Sequence, residues 1–131
     1  MDAMEEQDKK EISSYRDLKV WKMAMDLTDE IYRLSKRLPK EELFSLSSQM
    51  RRAAVSIPSN IAEGNERRSS REYLHFLHIA SGSCAELETQ IEICKRQQFF
   101  SESELKTARE YCKQVGKMLN SLQDKIQMRI E

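Results

Sequence analysis

Gln49-Met50-Arg51-Arg52-Ala53-Ala54-Val55-Ser56-Ile57-Pro58-Ser59-Asn60-Ile61-Ala62-Glu63-Gly64 is the stretch on which the fold turns. It reads as a helix, yet Gln49, Arg52, Ser56, Asn60 and Glu63 recur at steps of three or four and draw a polar stripe along one side. Ala53, Ala54, Ser56, Ser59 and Ala62 suit close backbone approach better than display to water. Polar groups in such a place need hydrogen-bonding partners, from a neighbouring helix or from a second subunit. Gly64 is the expected C-terminal cap and Ser45 the expected N-cap. Pro58 has no N–H for the carbonyl of Ala54 and should bend the helix.

Outward from that helix the chain reads as all-α. Charged residues make up 34% of its 131 positions against 3 Gly and 2 Pro, a composition of long helices with solvated faces. The spacing predicts a first helix over 16–38, stopped at Pro39, and a second over 45–63. A third, over 69–97, opens on a capping box, Ser69 to Glu72. A fourth opens on another, Ser101 to Glu104, and runs almost to the C-terminus. Short connections make this an antiparallel up-down-up-down four-helix bundle, a rod roughly 30 to 40 Å long at 1.5 Å per residue. Residues 1–14 hold five acidic side chains and two lysines with little to bury, and are expected as a mobile acidic tail before one bundle domain over 15–131.

Helix one is apolar on two sides. Leu18, Trp21, Met25, Thr28, Tyr32 and Ser35 make one seam; Val20, Ala24, Leu27, Ile31, Leu34 and Leu38 make another. Helix three repeats the pattern, with Ile79, Gly82, Ser83, Gln90 and Ile93 opposite its core stripe. A bundle has one interior, so the second faces predict a homo-oligomer. Val20, Leu27, Ile31, Leu34, Ile79 and Ile93 are its expected apolar interface. Gln49, Arg52, Ser56, Asn60, Glu63 and Glu86 are its expected polar network, structural or at the interface.

Candidate chemistry is sparse. Lys plus Arg balances Asp plus Glu at 22 each, so attraction to nucleic acid must come from a local patch. Arg67, Arg68 and Arg71 cluster at the turn between helices two and three, and together with Arg51 they are the expected RNA- or DNA-binding residues. No aromatic side chain is expected beside them as a stacking platform, which argues against specific reading of single strands, and binding of low sequence specificity is expected. Glu72-x-x-His75 is one half of a di-iron signature, with no second copy and with His75 turned away from the core stripe. No metal or cofactor is expected. Cys84, Cys94 and Cys112 lie in helical patterns without a CxxC pair and read as buried, unreactive thiols. There is no nucleophile elbow and no phosphate loop, so no enzyme is expected. With neither a leader-like opening nor a spanning apolar run, the expected location is the cytoplasm.

Three segments also resemble a known family. Tyr15-Arg16-Asp17-Leu18-Lys19-Val20-Trp21, the Ser56-Ile57-Pro58-Ser59-Asn60-Ile61-Ala62-Glu63-Gly64 ending of helix two, and Tyr73 to Glu86 with Ile79-Ala80-Ser81-Gly82-Ser83-Cys84-Ala85-Glu86 are similar to the proteins encoded in 23S rRNA intervening sequences, sometimes labelled S23 ribosomal proteins. The resemblance spans about 15–125. It implies a four-helix bundle assembled as a ring-shaped homopentamer, with no catalytic residues to carry over and no role as a structural part of the ribosome. The fold is also similar to that of the accessory protein of diversity-generating retroelements, a pentamer that binds nucleic acid and a reverse transcriptase. Three readings follow in order: an oligomeric nucleic-acid-associated protein, an interaction scaffold that binds a protein partner and no nucleic acid, and, well behind, a metal-dependent enzyme.

Overall fold

The structure, a computed structural model, describes residues 14–130. The acidic segment expected as a tail lies outside the described residues apart from Ser14, which caps a 3-10 turn over Tyr15–Asp17: its hydroxyl accepts from the amide of Arg16 at 3.2 Å. Leu18 is extended and separates this turn from helix α1, Lys19–Ser35, so the first helix starts later and ends sooner than its apolar spacing suggests. After a second 3-10 turn, Lys40–Glu42, come α2, Leu46–Asn65, α3, Ser70–Arg96, and α4, Glu102–Ile130.

Each helix packs on its sequence neighbours, and α4 closes back on α1. Contacts advance on one helix as they retreat on the next: Ser56 meets Ser83 and Asn65 meets Tyr73 between α2 and α3, while Arg109 reaches Glu92 and Gln123 reaches Ser81 between α4 and α3. Those pairs are antiparallel. The core runs the length of the bundle through Leu27, Ile31, Met50, Ile57, Ile61, Leu77, Leu87, Ile91, Leu105, Leu119 and Ile126, all almost fully buried. Burying side chains of this size contributes roughly 1.5–3 kcal/mol each before chain entropy is set against it.

The caps differ in detail from expectation. Ser101 and Glu104 complete their box, with the Ser101 amide on Oε1 of Glu104 at 2.9 Å and the Glu104 amide on Oγ of Ser101 at 3.1 Å. Ser69 makes only its own half, accepting from the Glu72 amide at 3.3 Å. Ser45 makes no side-chain cap bond; its hydroxyl donates to Glu42. Gly64 is no cap. It sits within α2 without positive φ, and a β-carbon there would stand 2.9 Å from both Cβ of Phe76 and Cδ1 of Tyr73, so glycine is required by the close approach of α3. The left-handed residue is Gln98, at φ 63°, where α3 ends: the Phe99 amide donates to the Cys94 carbonyl and the Gln98 amide to that of Lys95. This pair of bonds is the Schellman arrangement.

The two seams of α1 are placed the other way round from the expected assignment. Val20, Leu27, Ile31 and Leu34 are buried inside the protomer, and are not available as a subunit interface. Their purely aliphatic side chains fill the bundle, while Met25 and Tyr32 of the other seam face outward; Leu18 and Trp21 of that seam pack against the core, and Thr28 and Ser35 have their hydroxyls hydrogen bonded within the protomer.

Candidate nucleic-acid interface and outer face

The end of the bundle where α2 turns into α3 carries Arg67, Arg68 and Arg71, all exposed. Arg67 is engaged. Its guanidinium pairs with Glu63 one turn earlier and lies 4.9 Å from the ring centroid of Phe76. An aromatic side chain therefore does accompany the cluster, contrary to expectation. It comes from the second turn of α3, beyond the reach of a local sequence pattern. Arg68 and Arg71 form no ion pair among the described residues. From Arg71 the edge continues along α3 past the exposed imidazoles of His75 and His78, beside Gln127 and Ile130 of α4.

Arg51 is not brought to this end. It precedes Arg67 by sixteen positions, about 24 Å of helix axis at 1.5 Å per residue. Its Nε donates to Oγ of Ser35 at 2.8 Å and its guanidinium lies 5.2 Å from the Tyr32 centroid, which ties α2 to α1.

The polar stripe of α2 divides in the same way. Its middle is satisfied within the protomer: the Ser56 and Ser83 hydroxyls are 2.7 Å apart, and Nδ2 of Asn60 donates to the Ser56 carbonyl at 2.7 Å and to its hydroxyl at 3.0 Å. Glu63 is taken by Arg67. Gln49, Arg52 and Glu86 are exposed, and Arg52 has no ion pair among the described residues. Ser83 and Gln90, expected on the outer side of the third helix, are buried instead: Ser83 meets Ser56, and Nε2 of Gln90 donates to Glu86 at 3.4 Å while its Oε1 has no partner among the described residues. Ile79 and Ile93 stay on the outside at 39% and 40% exposure. The apolar residue furthest out is Phe44, 92% exposed beside Leu43, and a lone aromatic in a linker leaves no periodic trace.

Elsewhere several arginines are held by carboxylates. Glu92 receives Arg109 and Arg96, Arg109 also reaches Glu102, Arg33 forks onto Glu30, and Arg37 pairs with Glu104. Arg109 first and Arg96 second hold the Glu92 carboxyl below its ordinary range; for Glu104 the Ser101 amide leads and Arg37 follows. Burial pushes the Cys94 thiol up to about 11. Cys112 is raised by its contact with Cys84 and by burial, whereas the same contact draws Cys84 downward against burial. Among the described residues no group of three or more His, Cys, Asp and Glu could hold a metal ion, and no helix is long and apolar enough to cross a membrane.

Four packed helices with this order of segments agree with what known proteins show. Residues 16–121 match the family described as 23S rRNA-intervening sequence protein. The chain belongs to that family. A solved structure similar to this family member comes from Bacteroides thetaiotaomicron VPI-5482 and is described as a protein with unknown function from the S23 ribosomal protein family. The two share 24% identity over 80% of this chain and 95% of that chain, with a TM-score of 0.75. Likeness at that identity establishes the four-helix fold and carries no activity with it. No curated protein matches the chain.

Proposed function

We propose that this member of the 23S rRNA-intervening sequence protein family is a non-enzymatic, cytoplasmic homo-oligomer that binds RNA or DNA with low sequence specificity. The number of copies follows the family resemblance, a ring of five. The observation that carries the reading is the edge from Arg68 and Arg71 through His75 and His78, whose two arginines are free of carboxylate partners among the described residues. One such edge is a weak phosphate contact. Repeated once per subunit on a ring, it gains by effective concentration. With nothing on it shaped to read base edges, the edge favours backbone contacts over sequence.

The test is fluorescence anisotropy of mixed-sequence RNA and DNA duplexes across a salt series. Binding that falls steeply with salt and is lost in an Arg68→Glu, Arg71→Glu variant supports the reading. No retention at low salt, together with recovery of one defined protein in pull-downs, would replace it with the scaffold reading.

A further inference from the structure

We infer that the hollow between α1 and α2 of one copy receives the outer ridge of α3 of another copy, head to tail; this rests on the homo-oligomeric reading above. The hollow measures about 540 Å³ and is rimmed by Tyr32, Leu43, Phe44 and Val55, with Arg51 and Arg52 beside them. Phe44 alone leaves 92% of its surface in water, and Tyr32, Leu43 and Val55 are each more than a third exposed. An apolar rim of this kind on an otherwise charged surface marks a contact site.

The occupant is a second copy because the ridge complements the hollow in three ways. Ile79 and Ile93 stand out from α3 at 39% and 40% exposure and supply the apolar match. Between them lies Gly82, in the interior of a 27-residue helix, where a β-carbon would meet nothing within 4 Å. Glycine is a poor helix former, and at this exposed position it leaves the α3 backbone open to the close approach of a neighbour. The charges also correspond. The hollow offers the guanidinium of Arg52, without a carboxylate among the described residues, and the ridge offers Glu86, whose contact is the 3.4 Å bond from Gln90. A hollow and a ridge that meet head to tail pair heterologously, the mode that closes into the ring of the homo-oligomeric reading.

The experiment is the solution mass of the full chain by light scattering at micromolar concentration, with circular dichroism confirming that each variant is folded. Wild type should be a multimer. Gly82→Leu adds a side chain where the protomer has room, so it should stay helical while its assembly weakens roughly tenfold or more, as should Phe44→Ser. Arg52→Glu and Glu86→Arg should each weaken assembly, and combining them should restore it. A monomeric wild type would remove the homo-oligomeric reading itself. A multimeric wild type whose mass survives Gly82→Leu and Phe44→Ser, or a charge-swapped pair no better than its single variants, would leave that reading standing and overturn this docking.

Discussion

The hydroxyl of Thr28 lies 3.3 Å from the carbonyl oxygen of Ala54, the acceptor that Pro58 leaves without its helical donor. A residue of α1 thus repairs a defect that proline makes in α2. The same hydroxyl is 2.8 Å from the Ala24 carbonyl in its own helix, so one hydrogen is shared between two acceptors.

Thr28→Val keeps the shape and removes the donor, and should cost about 1–2 kcal/mol with Pro58 in place. In a Pro58→Ala background the backbone N–H returns to the Ala54 carbonyl, and the same change should cost less than about 0.5 kcal/mol. A double-mutant cycle in urea measures the difference. Equal costs in both backgrounds would show that Thr28 does not serve the proline.

Gly64→Ala should destabilise by about 1–3 kcal/mol, because the new methyl would meet Phe76 and Tyr73 at 2.9 Å and the Tyr73 carbonyl at 3.2 Å. Gly116 is the control. Nothing lies within 4 Å of its β-position, in the middle of α4, so Gly116→Ala should stabilise by roughly 0.5–1 kcal/mol through helix propensity. Thermal melts of both variants test the contrast in sign.

Gln98 adopts φ 63° with its side chain exposed, a left-handed conformation that glycine takes without penalty. Gln98→Gly should raise stability by about 0.5–1 kcal/mol, with the denaturant midpoint shifted and the m-value unchanged. A destabilised variant would mean that the Gln98 side chain contributes more than its backbone loses.

These glycine and glutamine positions show where the sequence was legible and where it was not. Helix periods and the stop at Pro39 are local, and they placed four helices in order within a few residues. Gly64 was expected as a cap because a glycine after an apolar run is the usual cap signal; its actual cause is Tyr73 and Phe76, which belong to the next helix. For α1 the sequence showed two apolar seams but not which one the bundle would take. The Val20 to Leu34 seam is wholly apolar, whereas the other carries the hydroxyls of Thr28, Tyr32 and Ser35. The arginine cluster was legible in part: Glu63 and Arg67 stand four residues apart and can be paired from the helix period alone, whereas the place of Arg67 over Phe76 of the next helix needed the packing.

Cys94, pushed by burial from an ordinary 9.0 up to about 11, holds its proton more tightly in the folded than in the unfolded chain. Its contribution to stability is complete below pH 9.0 and is lost as pH rises through about 11. Unfolding free energy should therefore decline across that window, and the decline should be shallower in Cys94→Ala. Alkylation of native Cys94 at mildly alkaline pH should be much slower than that of the unfolded chain. Rapid labelling without unfolding would contradict the burial of the thiol.

The arginines at the α2–α3 turn should separate by role. Arg67 is bound to Glu63 and stacked at 4.9 Å over Phe76, so Arg67→Ala should cost roughly 0.5–1.5 kcal/mol of stability while nucleic-acid affinity changes little. Arg68 and Arg71 contact no carboxylate among the described residues, so replacing either by alanine should leave the melting curve within about 0.5 kcal/mol of wild type. Each replacement should also reduce the salt dependence of nucleic-acid binding by about one unit of slope per subunit in contact. Melting curves and salt-titrated anisotropy on the same three variants read both effects. If Arg67→Ala lost binding without losing stability, its guanidinium would face phosphate and not Phe76, and the edge would have to be redrawn around it.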